Sequence, residues 1–214
     1  MTDGDFAGRV RATGPLAANQ VAYVVSAVAA EIDGRAAAGD PHGRLSPAAI
    51  ALASDGRVVL VDPASLGAAP DTGAHAAPEI FGGAIPDARS EVFSLASTAY
   101  TLLTGTTPNS FRIANARRAR PDLGPGLEAA LTRATSRDPA FRYQSATDFA
   151  RALAAALAPP PADTVAPELF DFPEGVADRA RRMSALRLLA LIAATLAVLS
   201  VLLWVGILVV DSLS

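Results

Sequence analysis

One short stretch of the chain gathers several residues able to do chemistry. His42, Arg44 and Ser46 fall in one short segment, Ala49 follows, and Asp62 stands beyond a hairpin-like stretch. A proton-transfer site needs a group that accepts a proton at neutral pH. The Arg44 guanidinium, with a pKa above about 12, cannot. Ala49 offers no metal ligand. Asp62 is a lone carboxylate, a poor site for Mg²⁺. These groups by themselves offer neither a base nor a metal-ligand set, and no metal or cofactor is expected.

Composition narrows the chemistry further. The chain has 214 residues and no cysteine, so disulfides, thiolate metal sites and thiol nucleophiles are excluded. Two histidines make a His-rich metal site an unpromising expectation. All 18 basic residues are arginine, which removes every mechanism that needs a lysine ammonium, such as a Schiff base or a phosphate-binding loop lysine. A net charge of −3 gives no nucleic-acid signal.

Residues 1–14 are polar and glycine-containing and read as a loose N-terminus. Val21, Val24, Val25, Val28 and Ile32 form one apolar helical stripe. Ile50–Ala53 and Val58–Val61 flank Ser54-Asp55-Gly56-Arg57, a hairpin signal because Asp and Gly tolerate positive φ. Residues 63–76 are Ala, Gly and Pro rich and read as loop. Helices are expected over 92–104, stopped by Gly105, and over 126–135. A third is expected over 145–157, opening on the Ser145-x-x-Asp148 capping box. The fold class is mainly α with a small β-hairpin, in one domain over 15–157.

Residues 158–183 read as a proline-rich, acidic juxtamembrane linker. Residues 184–210 carry an expected transmembrane helix, and 211–214 a short external tail. The uncharged run from Leu188 to Val210 reaches roughly 35 Å as a helix, enough for a ~30 Å hydrocarbon layer. Arg179, Arg181, Arg182 and Arg187 crowd its N-terminal flank, where they are expected to meet anionic headgroups and to place the preceding domain in the cytoplasm.

The order of short motifs resembles the C-terminal lobe of bacterial Ser/Thr protein kinases of the eukaryotic-like type. His42-Gly43-Arg44-Leu45-Ser46-Pro47-Ala48-Ala49 stands where that family has H-R-D-L-x-x-x-N. Asp62-Pro63-Ala64 falls at D-F-G and Ala77-Pro78-Glu79 at A-P-E. Glu91-Val92-Phe93-Ser94-Leu95-Ala96 resembles D-V-Y-S-L-G. Tyr100-Thr101-Leu102-Leu103-Thr104-Gly105 with Pro108 resembles Y-x-L-L-T-G-x-x-P. Arg137-Asp138-Pro139-Ala140-Phe141-Arg142-Tyr143-Gln144-Ser145-Ala146 resembles K-D-P-x-x-R-Y-Q-S-A.

The resemblance implies a pairing of Glu79 with Arg142. It also implies that Glu91, in place of the family's Asp, anchors the loop backbone. The base position would hold Arg44, the metal-binding position Ala49 and the loop-lysine position Ser46, leaving Asp62 as a weak Mg²⁺ candidate. No G-x-G-x-x-G precedes the loop, so the nucleotide lobe is expected to be missing. The implied function is a catalytically dead, membrane-anchored pseudokinase module that binds or regulates another protein at the cytoplasmic membrane. That partner would be an active kinase, a phospho-reader or a cell-envelope protein. Ser65 and Thr72 are candidate phosphorylation sites. The alternatives are a split kinase whose ATP-binding lobe comes from another chain, and a decayed remnant.

Overall fold

A computed structural model describes residues 2–66, 72–109, 113 and 115–158. The chain divides into a compact unit, Met1–Pro159, and a second unit, Pro160–Ser214. The linker, the expected transmembrane segment and its four flanking arginines lie outside the described residues. Among the described residues, no helix is long and apolar enough to cross a membrane.

The elements run β1 (Thr2–Asp5), α1 (Phe6–Thr13), α2 (Ala18–Ala37), β2 (Ile50–Ala53), β3 (Val58–Leu60), α3 (Thr72–His75), α4 (Pro78–Phe81), α5 (Ala88–Thr104), α6 (Ala116–Ala119), α7 (Pro125–Ala134) and α8 (Ala146–Leu157). Short 3₁₀ turns cover Pro47–Ala49, Pro63–Leu66 and Pro139–Phe141. This is a mostly helical lobe carrying one small sheet.

The sheet is antiparallel in the order β1-β2-β3. At the β2–β3 turn only Gly56 has positive φ, at 81°. Asp55 instead turns its carboxylate onto the Arg57 backbone N–H at 3.0 Å and side-chain Nε at 2.7 Å.

The N-terminus corrects the expectation of a loose segment. Asp5 caps α1 by accepting from the Gly8 N–H at 2.6 Å, and Phe6 and Val10 are buried one turn apart. Only those two large apolar side chains mark the helix, and Gly8 lowers its propensity. Its other support is the pairing of β1 with β2, a contact distant in sequence. The stretch 63–76 likewise holds a 3₁₀ turn and α3 rather than loop alone.

The core sits between α2, α5 and α8. The α2 stripe Val21, Val24, Val25, Val28 and Ile32 is fully buried, as the spacing predicts. Helix α5 is buried around much of its circumference, from Ser90 to Leu103. Its hydroxyls turn inward on the helix: Thr98 donates to the Ser94 carbonyl at 2.8 Å and Ser94 to that of Ser90 at 3.1 Å. Asp87 and Ser90 cap its start reciprocally, and Gly105 closes it at φ 69°.

Only half of the expected capping box forms at α8. The Ser145 hydroxyl accepts from the Asp148 N–H at 3.0 Å. The neighbouring N–H groups of Ala146 and Thr147 donate to Asp33 of α2, at 2.6 and 2.9 Å. The Asp148 carboxylate pairs with Arg151 instead.

Candidate functional site

The His42–Ile50 segment leaves α2 through Gly39, at φ 75°, and ends in β2. His42 is buried. Its Nε2 lies 2.9 Å from the Val61 carbonyl, and the Arg44 N–H donates to Nδ1 at 3.2 Å. This pattern suits one tautomer of the neutral ring, with the proton on Nε2. Burial pushes the imidazole pKa below its ordinary value despite the bond to Val61. His42 thus ties the loop to the segment after β3.

Leu45 and Ser46 are buried next along the loop, and the Ser46 Oγ has no hydrogen-bond partner. The 3₁₀ turn Pro47–Ala49 carries the chain into β2, with the Ala49 N–H on the Ser46 carbonyl at 2.9 Å. Ala49 is fully buried, and its carbonyl accepts from the Val61 N–H at 2.9 Å. The Arg44 side chain is half-buried.

Glu91 holds the loop from the other side. It is buried in the first turn of α5, and its Oε1 accepts from the Gly43 N–H at 2.6 Å. Gly43 has φ 70°, a conformation that favours glycine. Glu91 Oε2 is buried with no partner. Burial pushes this carboxyl up to about 7, against the Gly43 bond and the Arg35 charge, which lower it.

Asp62 is exposed. Its Oδ1 accepts from the Ala64 N–H at 2.8 Å and its carbonyl from the Ser65 N–H at 2.9 Å, so it caps the Pro63–Leu66 turn. Among the described residues no group of three or more His, Asp or Glu gathers where a metal ion could be held. Ser65 is exposed in that turn, and Thr72 opens α3.

Glu79 and Arg142 meet as a fork, Nη1 to Oε1 at 2.5 Å and Nη2 to Oε2 at 2.8 Å. Arg142 also donates to the carbonyls of Ser136 at 2.8 Å, Arg89 at 3.1 Å and Arg137 at 3.3 Å, and lies over the Phe93 ring. Burial raises the Glu79 carboxyl, but the hydrogen bonds and charge of Arg142 outweigh it and hold the pKa below the ordinary value. The structure thus gathers His42, Ser46, Ala49 and Glu91 around one loop and Glu79 with Arg142 at a separate junction. Asp62 sits apart on an exposed turn.

Sequence reasoning missed Asp33 and Arg120. Arg120 donates to the carbonyls of Leu16 and Leu103 at 3.3 and 3.0 Å while paired with Asp122. Neither follows a local spacing rule, because each bonds to backbone far away in sequence.

This helical lobe with its small sheet and anchored loop is a kinase-like fold. Its relatives are bacterial Ser/Thr protein kinases. The chain is 30% identical over 187 aligned positions to Serine/threonine-protein kinase PknJ of Mycobacterium tuberculosis, covering 73% of this chain and 32% of that protein. It is 27% identical to PknE of the same organism, over 72% of this chain and 31% of that protein. The crystal structure of the Mycobacterium tuberculosis PknI kinase domain superposes with a TM-score of 0.61 at 30% identity, covering 72% of this chain and 62% of that one. No protein-family model matches. The chain spans about a third of the length of these curated relatives.

Proposed function

We propose that this chain is a non-catalytic, kinase-like binding or regulatory module tethered to the cytoplasmic membrane. The observation that carries the reading is the His42–Ile50 loop. It keeps its anchors, His42 on Val61 and Gly43 on Glu91. Its positions for base and metal ligand, assigned by the likeness to kinases, hold Arg44 and the buried methyl of Ala49. Phosphoryl transfer needs a group to orient the attacking hydroxyl and ligands for the metal ions. A guanidinium that stays protonated and a methyl group supply neither.

The membrane part rests on the uncharged run Leu188–Val210 and the four arginines before it. A protein partner is the natural occupant of the exposed helical surface. Membrane fractionation of cells expressing the tagged chain tests the tether: recovery in the soluble fraction, unchanged by deleting 188–210, rejects it.

The catalytic part is tested with labelled ATP, Mg²⁺ or Mn²⁺ and a generic substrate protein. The expected result is no transfer, either by the chain or by a variant carrying Arg44→Asp and Ala49→Asn. Transfer by the unaltered chain that Asp62→Asn abolishes would overturn the reading in favour of a split kinase completed by another chain.

A further inference from the structure

A buried carboxyl with one unpartnered oxygen is costly, and the cost falls mainly on its charged form. Glu91 is such a group, and the residue it holds, Gly43, lies 48 residues earlier in the chain. Its Oε1 is satisfied by the Gly43 N–H. Its Oε2 is enclosed with nothing to donate to it, and the Ser46 Oγ in the same loop is enclosed without a partner as well. The Nε of Arg35, whose charge acts on Glu91, is enclosed without a partner too, so water has polar atoms to meet when the apex of the segment lifts.

We propose that Glu91 is a proton-operated latch on the His42–Ile50 loop. The protonated carboxyl keeps the loop closed against α5, and loss of that proton to solvent favours an open loop in which water reaches Oε2.

The charged and titratable neighbours set the direction. Arg35, in the last turn of α2, favours the ionised form, and Asp87, at the N-cap of α5, opposes it. The loop itself contributes Arg44 and His42, the latter kept neutral by burial. Burial dominates these charges and lifts the carboxyl to about 7, against an ordinary 4.5. Gly43 adds no side-chain packing at the apex. It carries no side chain, and a Cβ there would make only ordinary contact, 3.5 Å from the Pro86 ring. The closed segment is anchored by packing from Leu45 to Ile50, so the part free to lift is its apex at Gly43 and Arg44, held by hydrogen bonds.

Amide hydrogen exchange of the full chain tests the latch, read at Gly43, Arg44 and Leu45 and divided by the intrinsic exchange rate at each pH. If opening returns the Glu91 carboxyl to water, opening rises about tenfold between pH 6 and pH 8. Glu91→Gln keeps an acceptor for Gly43 but cannot titrate, so its corrected rates should be flat. A flat profile in the unaltered chain, or an equal rise in Glu91→Gln, overturns the proposal. Should Glu91→Gln fail to fold, ¹³C titration of the Glu91 carboxyl in the unaltered chain decides. A midpoint near 7 that moves with the loop amides supports the latch, and a midpoint below about 5 overturns it.

Discussion

Arg142 is almost completely buried, yet it makes a two-pronged contact with Glu79, 63 residues away in sequence. It joins α4 to the segment before α8 while also binding three backbone carbonyls. Removing it leaves Glu79 and those carbonyls unpaired; removing Glu79 strands a buried cation. Breaking a buried pair from one side costs about 3–5 kcal/mol. Arg142→Met should therefore destabilise the lobe by about 3 kcal/mol or more in urea unfolding followed by circular dichroism. Glu79→Gln should cost less, because Glu79 is partly exposed and the amide retains one acceptor. Equal, small losses for both would show that the fork has little structural weight.

Asp33 gives a second expectation. It accepts from two free N–H groups at the start of α8, whereas Ser145 accepts from one. A lost helix cap costs about 0.5–2 kcal/mol. Asp33→Ala should lie at the upper end of that range and Ser145→Ala nearer its middle. Thermal unfolding of the two variants orders them, and the reverse order would reject the assignment.

Glu91 predicts a pH trend in global stability. Its folded pKa is raised, so the folded chain holds the proton more tightly than the unfolded one. The stabilisation is present below about pH 4.5 and is lost as pH rises through about 7. The full gap between 4.5 and about 7 corresponds to about 3 kcal/mol. In Glu91→Gln this fall in stability should vanish from urea midpoints measured across the range.

His42 predicts the opposite slope. Its folded pKa is lowered from 6.5, so the unfolded chain takes up a proton first. Its contribution is complete above about 6.5 and is lost as pH falls toward the folded value. His42→Asn should remove this loss on acidification, so that stability rises more steeply as pH falls from about 7, with the slope that Glu91 sets. A variant with an unchanged acid side would show that the ring is not held neutral.

Much of the helical frame was legible because its signals are local. Five apolar residues at helical spacing define α2, and Gly105 marks the end of α5. The sheet was only partly legible: Asp-Gly and its flanking β-prone runs announce β2 and β3, but β1 depends on a partner far along the chain. Helix α1 was hidden for the same reason. At the loop, the family resemblance pointed to Glu91 as the anchor of the backbone. It gave no sign that one carboxylate oxygen would be enclosed without a donor, since that depends on how α2 and α5 close around it. The double cap by Asp33 was equally invisible, because nothing in the local sequence of α2 distinguishes a surface aspartate from one that reaches a distant helix.

The bond from Asp33 to Ala146 spans 113 residues. Closing so large a ring carries an entropic cost that only the finished interface between α2 and α8 repays. The valine stripe of α2 is synthesised more than a hundred residues before α8 is complete. A nascent chain halted before residue 146 carries that stripe without the helix that covers it, and should bind a chaperone where the chain through 158 does not.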